Sequence, residues 1–209
     1  MKMQQIIVSS GFYDNPLQMR SIFSNLDYVK NENLLQGQIC PMNFANNEML
    51  RTMEQLACMP KDSLEFVEGS GTFILNQETD VPAANVSINL PDPTTQWVCI
   101  LCLSESEEPH FLKFYRHKRT KWSEIPGMPE ELEKENIRTY EDFQNFLDKE
   151  NVDFQSKWQE TTRIEYKFND LVMFRPSAFH SYNDVYGSSK ETGRLLQFFF
   201  LKLKEPPQN

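Results

Sequence analysis

Two apolar runs near the C-terminus, Leu171–Phe174 and Leu195–Leu203, frame a polar stretch that carries one histidine, His180. The second run opens on Gly193-Arg194. This layout reads as two strands joined by a loop, and it constrains the fold because similar short runs recur upstream. Trp97–Leu103 is continuously apolar, as expected of a strand covered on both faces. Ala84–Leu90 alternates, with Val86, Ile88 and Leu90 on one face, and Phe111–His117 alternates again. Ile6–Val8, Leu64–Val67, Gly71–Gln77 and Thr161–Tyr166 complete the set. Many short strands with turn signals between them predict a mainly β chain folded as two facing sheets, a jelly roll.

Helical spacing is confined to three places. Asp14 or Asn15 can cap a helix with Pro16 at its first position, running to about Leu26. A second helix spans Asn46 to Cys58 with Met49, Leu50, Met53, Leu56 and Ala57 on one face and Pro60 beyond it. Both are expected on one outer face of the barrel. Residues 120–160 are acidic and proline-punctuated, with helical spacing at Tyr140–Asp148. This stretch reads as an insertion within a single domain covering 1–209, with no internal repeat.

Composition narrows the function classes. A formal net charge of −9 argues against a phosphate-tracking nucleic-acid binder. The dense basic run Arg116-His-Lys-Arg-Thr-Lys121 reads as a solvated hairpin end. Cys99 and Cys102 have C-x-x-C spacing, but a strand sends their thiols to opposite faces, so they read as buried core thiols. The N-terminus lacks the apolar core of a signal peptide, and no stretch reaches the roughly 20 apolar residues of a membrane helix. These features predict a cytoplasmic protein with no membrane partner.

The order of motifs adds a resemblance. Phe12-Tyr-Asp-Asn-Pro16 precedes the first helix, Trp97–Leu103 leads to Phe114-Tyr-Arg-His-Lys118, and Phe168-Asn-Asp-Leu-Val-Met-Phe174 is followed by His180 and Gly193-Arg-Leu-Leu-Gln-Phe-Phe199. The chain resembles the iron(II)/2-oxoglutarate oxygenase superfamily, in particular a small prolyl-hydroxylase-like family of bacteria and phages whose activity is unassigned. The resemblance implies a double-stranded β-helix in which His180 matches a metal-binding histidine and Arg194 matches the clamp for the 2-oxoglutarate carboxylate, where a guanidinium fork suits a bidentate acid. Such enzymes hold iron with two His and one carboxylate. Their His-x-Asp pair falls here on Asn89 and Pro91, with Asp92 one residue out of register. Neither Asn89 nor Pro91 supplies the missing imidazole or carboxylate. A bulge at the flanking prolines would be needed to re-aim Asp92.

Other readings of these residues stand beside that one. His180 can be a core or loop histidine, Arg194 can pair with Asp184 or Glu191, and Asp92 between two prolines is a turn former. His110 stands where the family carries Gly-Gly, and neither it nor His117 is placed near His180 by the pattern. The damaged triad predicts a non-catalytic pseudoenzyme module that acts by binding or assembly with protein partners and takes no cofactor. A structural component of a phage virion is one such role, since the resembled family occurs in phages, and would place the chain in the virion. The alternative is an iron(II)/2-oxoglutarate-dependent hydroxylase with a non-standard site such as His180, Asp92 and water.

Overall fold

The computed structural model describes residues 5–30, 37–40, 42–78, 86–106, 109–182 and 187–205. Its larger sheet runs β1 (Ile7–Ser10), β9 (Asp170–Phe174), β6 (Thr95–Cys102), β11 (Arg194–Leu203), β5 (Thr72–Asn76), β3 (Gln38–Cys40) and β2 (Val29–Lys30), with β4 (Leu64–Phe66) pairing the far end of β11. The smaller sheet is β10 (His180–Ser181), β7 (His110–His117) and β8 (Trp158–Tyr166). The ladders between these strands are antiparallel. The fold is the expected mainly β jelly roll.

Side-chain alternation sorts the apolar residues into three layers. From β6 and β11, Cys99, Leu101, Phe199 and Leu201 point outward, where they meet Phe23 of α1 (Pro16–Ser24) and Met53 of α2 (Asn47–Leu56). Val98, Ile100, Cys102, Leu196 and Phe198 point inward against Leu112 and Phe114 of β7. Both expected helices therefore cover the same outer face, which explains why β6 is apolar on both sides. The two C-x-x-C thiols fall in different layers, and burial pushes both up, far from the reactive thiolate range.

Arg20 is the exception on α1: it is buried, and its guanidinium donates to the carbonyls of Leu103, Glu191 and Gly193. It ties the helix to the end of β6 and to the start of β11. On the other side, the segment between β7 and β8 carries α3 (Pro129–Glu133), α4 (Tyr140–Asn151) and α5 (Phe154–Lys157). Phe143, Phe146 and Leu147 of α4 pack with Val86, Ile88, Tyr115 and Phe179 on the outer face of the smaller sheet. α4 begins with a reciprocal capping box between Thr139 and Asp142. Thr139→Ala is expected to lower unfolding free energy by about 1 kcal/mol, read by urea denaturation.

Several expectations need correction. Positions 84–85 lie outside the described residues, and Val86–Leu90 is not a regular strand. Ser87 makes an isolated bridge with His180, and the Asn89 amide turns to the Pro176 carbonyl at 3.2 Å. Pro91 and Pro93 have no N–H to extend the ladder, although the apolar alternation at Val86 and Ile88 is real. β8 starts at Trp158 rather than Thr161, so the insertion is 118–157. β2, β3 and the two-residue β10 carried no signal in the sequence. Among the described residues, no helix is long and apolar enough to cross a membrane.

Candidate functional site

The interior between the two sheets holds the residues that the sequence singled out, in an arrangement that differs from expectation. His180 on β10 is fully buried, with Phe174 at 4.8 Å and Tyr182 stacked at 5.8 Å between ring centroids. Its Nδ1–H donates to the Ala178 carbonyl at 2.8 Å, which leaves the Nε2 lone pair as an acceptor. Nε2 has no partner among the described residues. Burial outweighs that hydrogen bond and pushes the imidazole down to about 4, so the ring is neutral near pH 7.

Asn89 is buried as well, and its side chain hydrogen-bonds the Tyr182 hydroxyl. Its Nδ2 finds no partner among the described residues. Pro91 is exposed. Asp92 is a turn former: its Oδ1 accepts from the Thr94 amide at 2.6 Å and from the Thr94 hydroxyl, and these bonds hold its carboxyl below the usual range. No bulge turns it inward.

Arg194 is 1 % exposed and shares the inward face of β11 with Leu196 and Phe198. Its fork donates to the Tyr182 carbonyl and the Tyr166 hydroxyl, and its guanidinium lies over the Tyr182 ring at 5.6 Å. Asp184 lies outside the described residues. Gly193 precedes it where a Cβ would come within 2.9 Å of the Asn76 and Ser189 carbonyl oxygens, so the motif Gly193-Arg194 reflects a close backbone approach. His180 and Arg194 belong to facing sheets, not to neighbouring strands as a simple hairpin reading has it. Both nevertheless point inward.

Tyr182 joins the two halves and was not singled out as a site residue. The ring stacks on His180 and faces Arg194, its carbonyl accepts from Arg194, and its hydroxyl, which burial pushes up to about 12, bonds Asn89. The available signal was its spacing: residues i and i+2 of a strand share a face, so Tyr182 follows His180 inward. Tyr166 had no such signal, because it enters through its pairing with His110 across β7 and β8.

The other two histidines are elsewhere. His110 is buried beside Tyr166, with ring centroids 5.7 Å apart. It lies four residues along β7 from Phe114, the partner of His180, or about 13 Å. An open groove of about 780 Å³ borders His110, Tyr166 and Ser104 at this end. His117 packs against Phe146 of α4 and Trp158 at the start of β8.

Among the described residues, the positions matched to the triad do not supply two imidazoles and a carboxylate. One neutral imidazole and one amide engaged by a tyrosine face the interior, while Pro91 has no donor atom and Asp92 is turned away. Among the described residues, no three His, Cys, Asp or Glu side chains form a metal-ligand group.

No protein-family model matches the chain, and no curated protein sequence matches it. Its fold is similar to that of HygX from Streptomyces hygroscopicus. The structure of HygX with nickel and 2-oxoglutarate bound superposes with a TM-score of 0.51 at 14% identity, over 95% of this chain and 83% of HygX. The structure with nickel, 2-oxoglutarate and hygromycin B gives 0.50 at 14% identity over the same shares. This likeness shows a common fold, and at that level it supports the resemblance read from the motifs.

Proposed function

We propose that this chain is a non-catalytic jelly-roll module that keeps the oxygenase fold and acts by binding or assembly with protein partners. The observation that carries this reading is the placement of Tyr182. It fills the space between His180 and Arg194, and it engages Asn89 and the Arg194 fork with its own oxygens. The fork that would receive a dicarboxylate is thereby committed to the protein itself, and at the metal position only the neutral His180 imidazole remains open among the described residues. A virion component is the assembly implied by the phage occurrence of the resembled family, and particle composition by mass spectrometry tests that case.

One observation favours a second reading, an iron(II)/2-oxoglutarate-dependent hydroxylase. A metal-binding histidine characteristically donates its other ring N–H to a carbonyl, as His180 does to Ala178. The 2-oxoglutarate bound in the HygX structures points the same way. Anaerobic incubation with iron(II), followed by metal analysis and an assay of succinate formed from 2-oxoglutarate, separates the two. The binding module retains no stoichiometric iron and forms no succinate above the blank. Stoichiometric iron, with turnover that disappears in His180→Ala, would overturn the non-catalytic reading.

A further inference from the structure

Away from that interior, a second group of titratable side chains is buried where the insertion meets the smaller sheet. His117 ends β7 with no exposed surface, between the rings of Phe146 at 5.4 Å and Trp158 at 4.9 Å. Its Nδ1 accepts from the Thr120 hydroxyl at 2.9 Å and from the Thr120 amide at 3.4 Å. An amide N–H can only donate, so Nδ1 is the unprotonated nitrogen. Nε2–H then donates to Oε2 of Glu150 on α4 at 3.1 Å. Glu150, itself 5% exposed, also faces Arg119 at 3.5 Å and Lys157 of α5 at 3.6 Å. Arg119 pairs in turn with Glu135, just beyond α3, at 2.6 Å. The hairpin after β7 and residues on or beside all three helices of the insertion thus join one charge cluster, in which Glu150 and Thr120 touch the imidazole directly.

We propose that this cluster is a pH-operated clamp, which holds the insertion 118–157 against the smaller sheet while His117 is neutral and releases it when His117 is protonated. Charge balance argues for that direction. With a neutral ring, Glu135 and Glu150 balance Arg119 and Lys157. A proton adds an unbalanced positive charge among aromatic rings, where desolvation is costly. The attraction of Glu150 for that charge is already shared with two cations. The new Nδ1–H also faces the Thr120 amide N–H. The Thr120 hydroxyl, which already accepts from the Trp122 amide at 3.4 Å, can accept the new Nδ1–H only by turning its own proton away from the ring and giving up the bond it now donates. Lys118, whose ammonium donates to the Gln155 carbonyl at 2.6 Å, adds a further cation on the α5 side. Consistently, burial outweighs the Glu150 contacts and holds the imidazole below its ordinary value.

Opening frees the ring to water and to its ordinary pKa, so proton uptake accompanies release and the open form gains as pH falls below about 6.5. Release uncovers Tyr115, Phe179, Val86 and Ile88, the outward face of the smaller sheet that α4 now covers.

Amide hydrogen exchange on the whole chain, corrected for the intrinsic pH dependence of exchange, tests the clamp. Protection across 118–157 is expected to fall about tenfold from about pH 7 to about pH 5, relative to β6 and β11 as internal references. In His117→Gln, which keeps a donor and an acceptor but cannot titrate, the same segment should show a flat ratio. A wild-type ratio that does not change overturns the proposal, and so does a pH dependence that survives undiminished in His117→Gln. If that variant fails to fold, the NMR titration of the three wild-type imidazoles decides. His117 taking up its proton over the pH range in which the insertion opens supports the clamp. His117 already charged at about pH 7, or still neutral once the insertion has opened, sinks it.

Discussion

Arg194→Ala is expected to lower the unfolding free energy by about 3–5 kcal/mol, measured by urea denaturation. The guanidinium is 1 % exposed, so its loss leaves a void in the barrel interior. It also removes the charge-assisted hydrogen bonds to the Tyr182 carbonyl and the Tyr166 hydroxyl, and a hydrogen bond to a charged group contributes about 1.5–3 kcal/mol. For a chain of this size, each kcal/mol corresponds to roughly 2–4 °C, so melting should fall by about 10 °C. Arg194→Met separates packing from charge. Methionine fills much of the volume and removes a cation that is costly to desolvate, so it should lose about 1–2 kcal/mol. The two readings of the protein part here. If Arg194→Ala unfolds at the wild-type urea concentration and abolishes a measurable 2-oxoglutarate turnover, Arg194 is a co-substrate clamp and the non-catalytic reading fails.

Which parts of the structure were legible depends on how local their causes are. β6 and β11 were readable because both of their faces are covered, which produces long apolar runs that nothing but a buried strand explains. α2 was readable from Asn46, whose side chain accepts from the Glu48 and Met49 amides, and from its apolar face. Val86–Leu90 misled because its alternation reports burial, whereas strand formation also needs ladder donors that the flanking prolines remove. β10 is only two residues long, too short to leave a periodic signature. In the candidate site, the inward direction of His180 and Arg194 follows from alternation along each strand. Their partners do not, because Tyr166 reaches Arg194 only through the pairing of β8 with β7 and the facing of the two sheets. The same holds for Glu150, which meets His117 only because α4 folds back over β7.

His180 should make the protein markedly more sensitive to acid than its composition suggests. Its imidazole is pushed from the ordinary 6.5 down to about 4 by complete burial, so the folded state binds fewer protons than the unfolded state across that interval. The stability that this provides is fully present above about pH 6.5 and is lost as pH falls towards about 4, a loss of about 3 kcal/mol. Below that, the group contributes no further change. Carboxylates and His117 also titrate as the protein is acidified, so the informative quantity is the difference between wild type and His180→Phe in urea melts at each pH. That difference should shift by about 3 kcal/mol in favour of the variant from neutral pH to about pH 4. Near pH 7 two effects of the variant oppose each other: it removes the buried Nε2 that has no partner among the described residues, and it strips the donor from the Ala178 carbonyl. Its neutral stability should therefore lie within about 1–2 kcal/mol of wild type. Repeating the neutral measurement with iron(II) tests the role of the ring directly. A metal ligand would give wild type a concentration-dependent gain in stability that His180→Phe lacks, by mass action on the folded state. With no such gain, His180 acts as a neutral core imidazole.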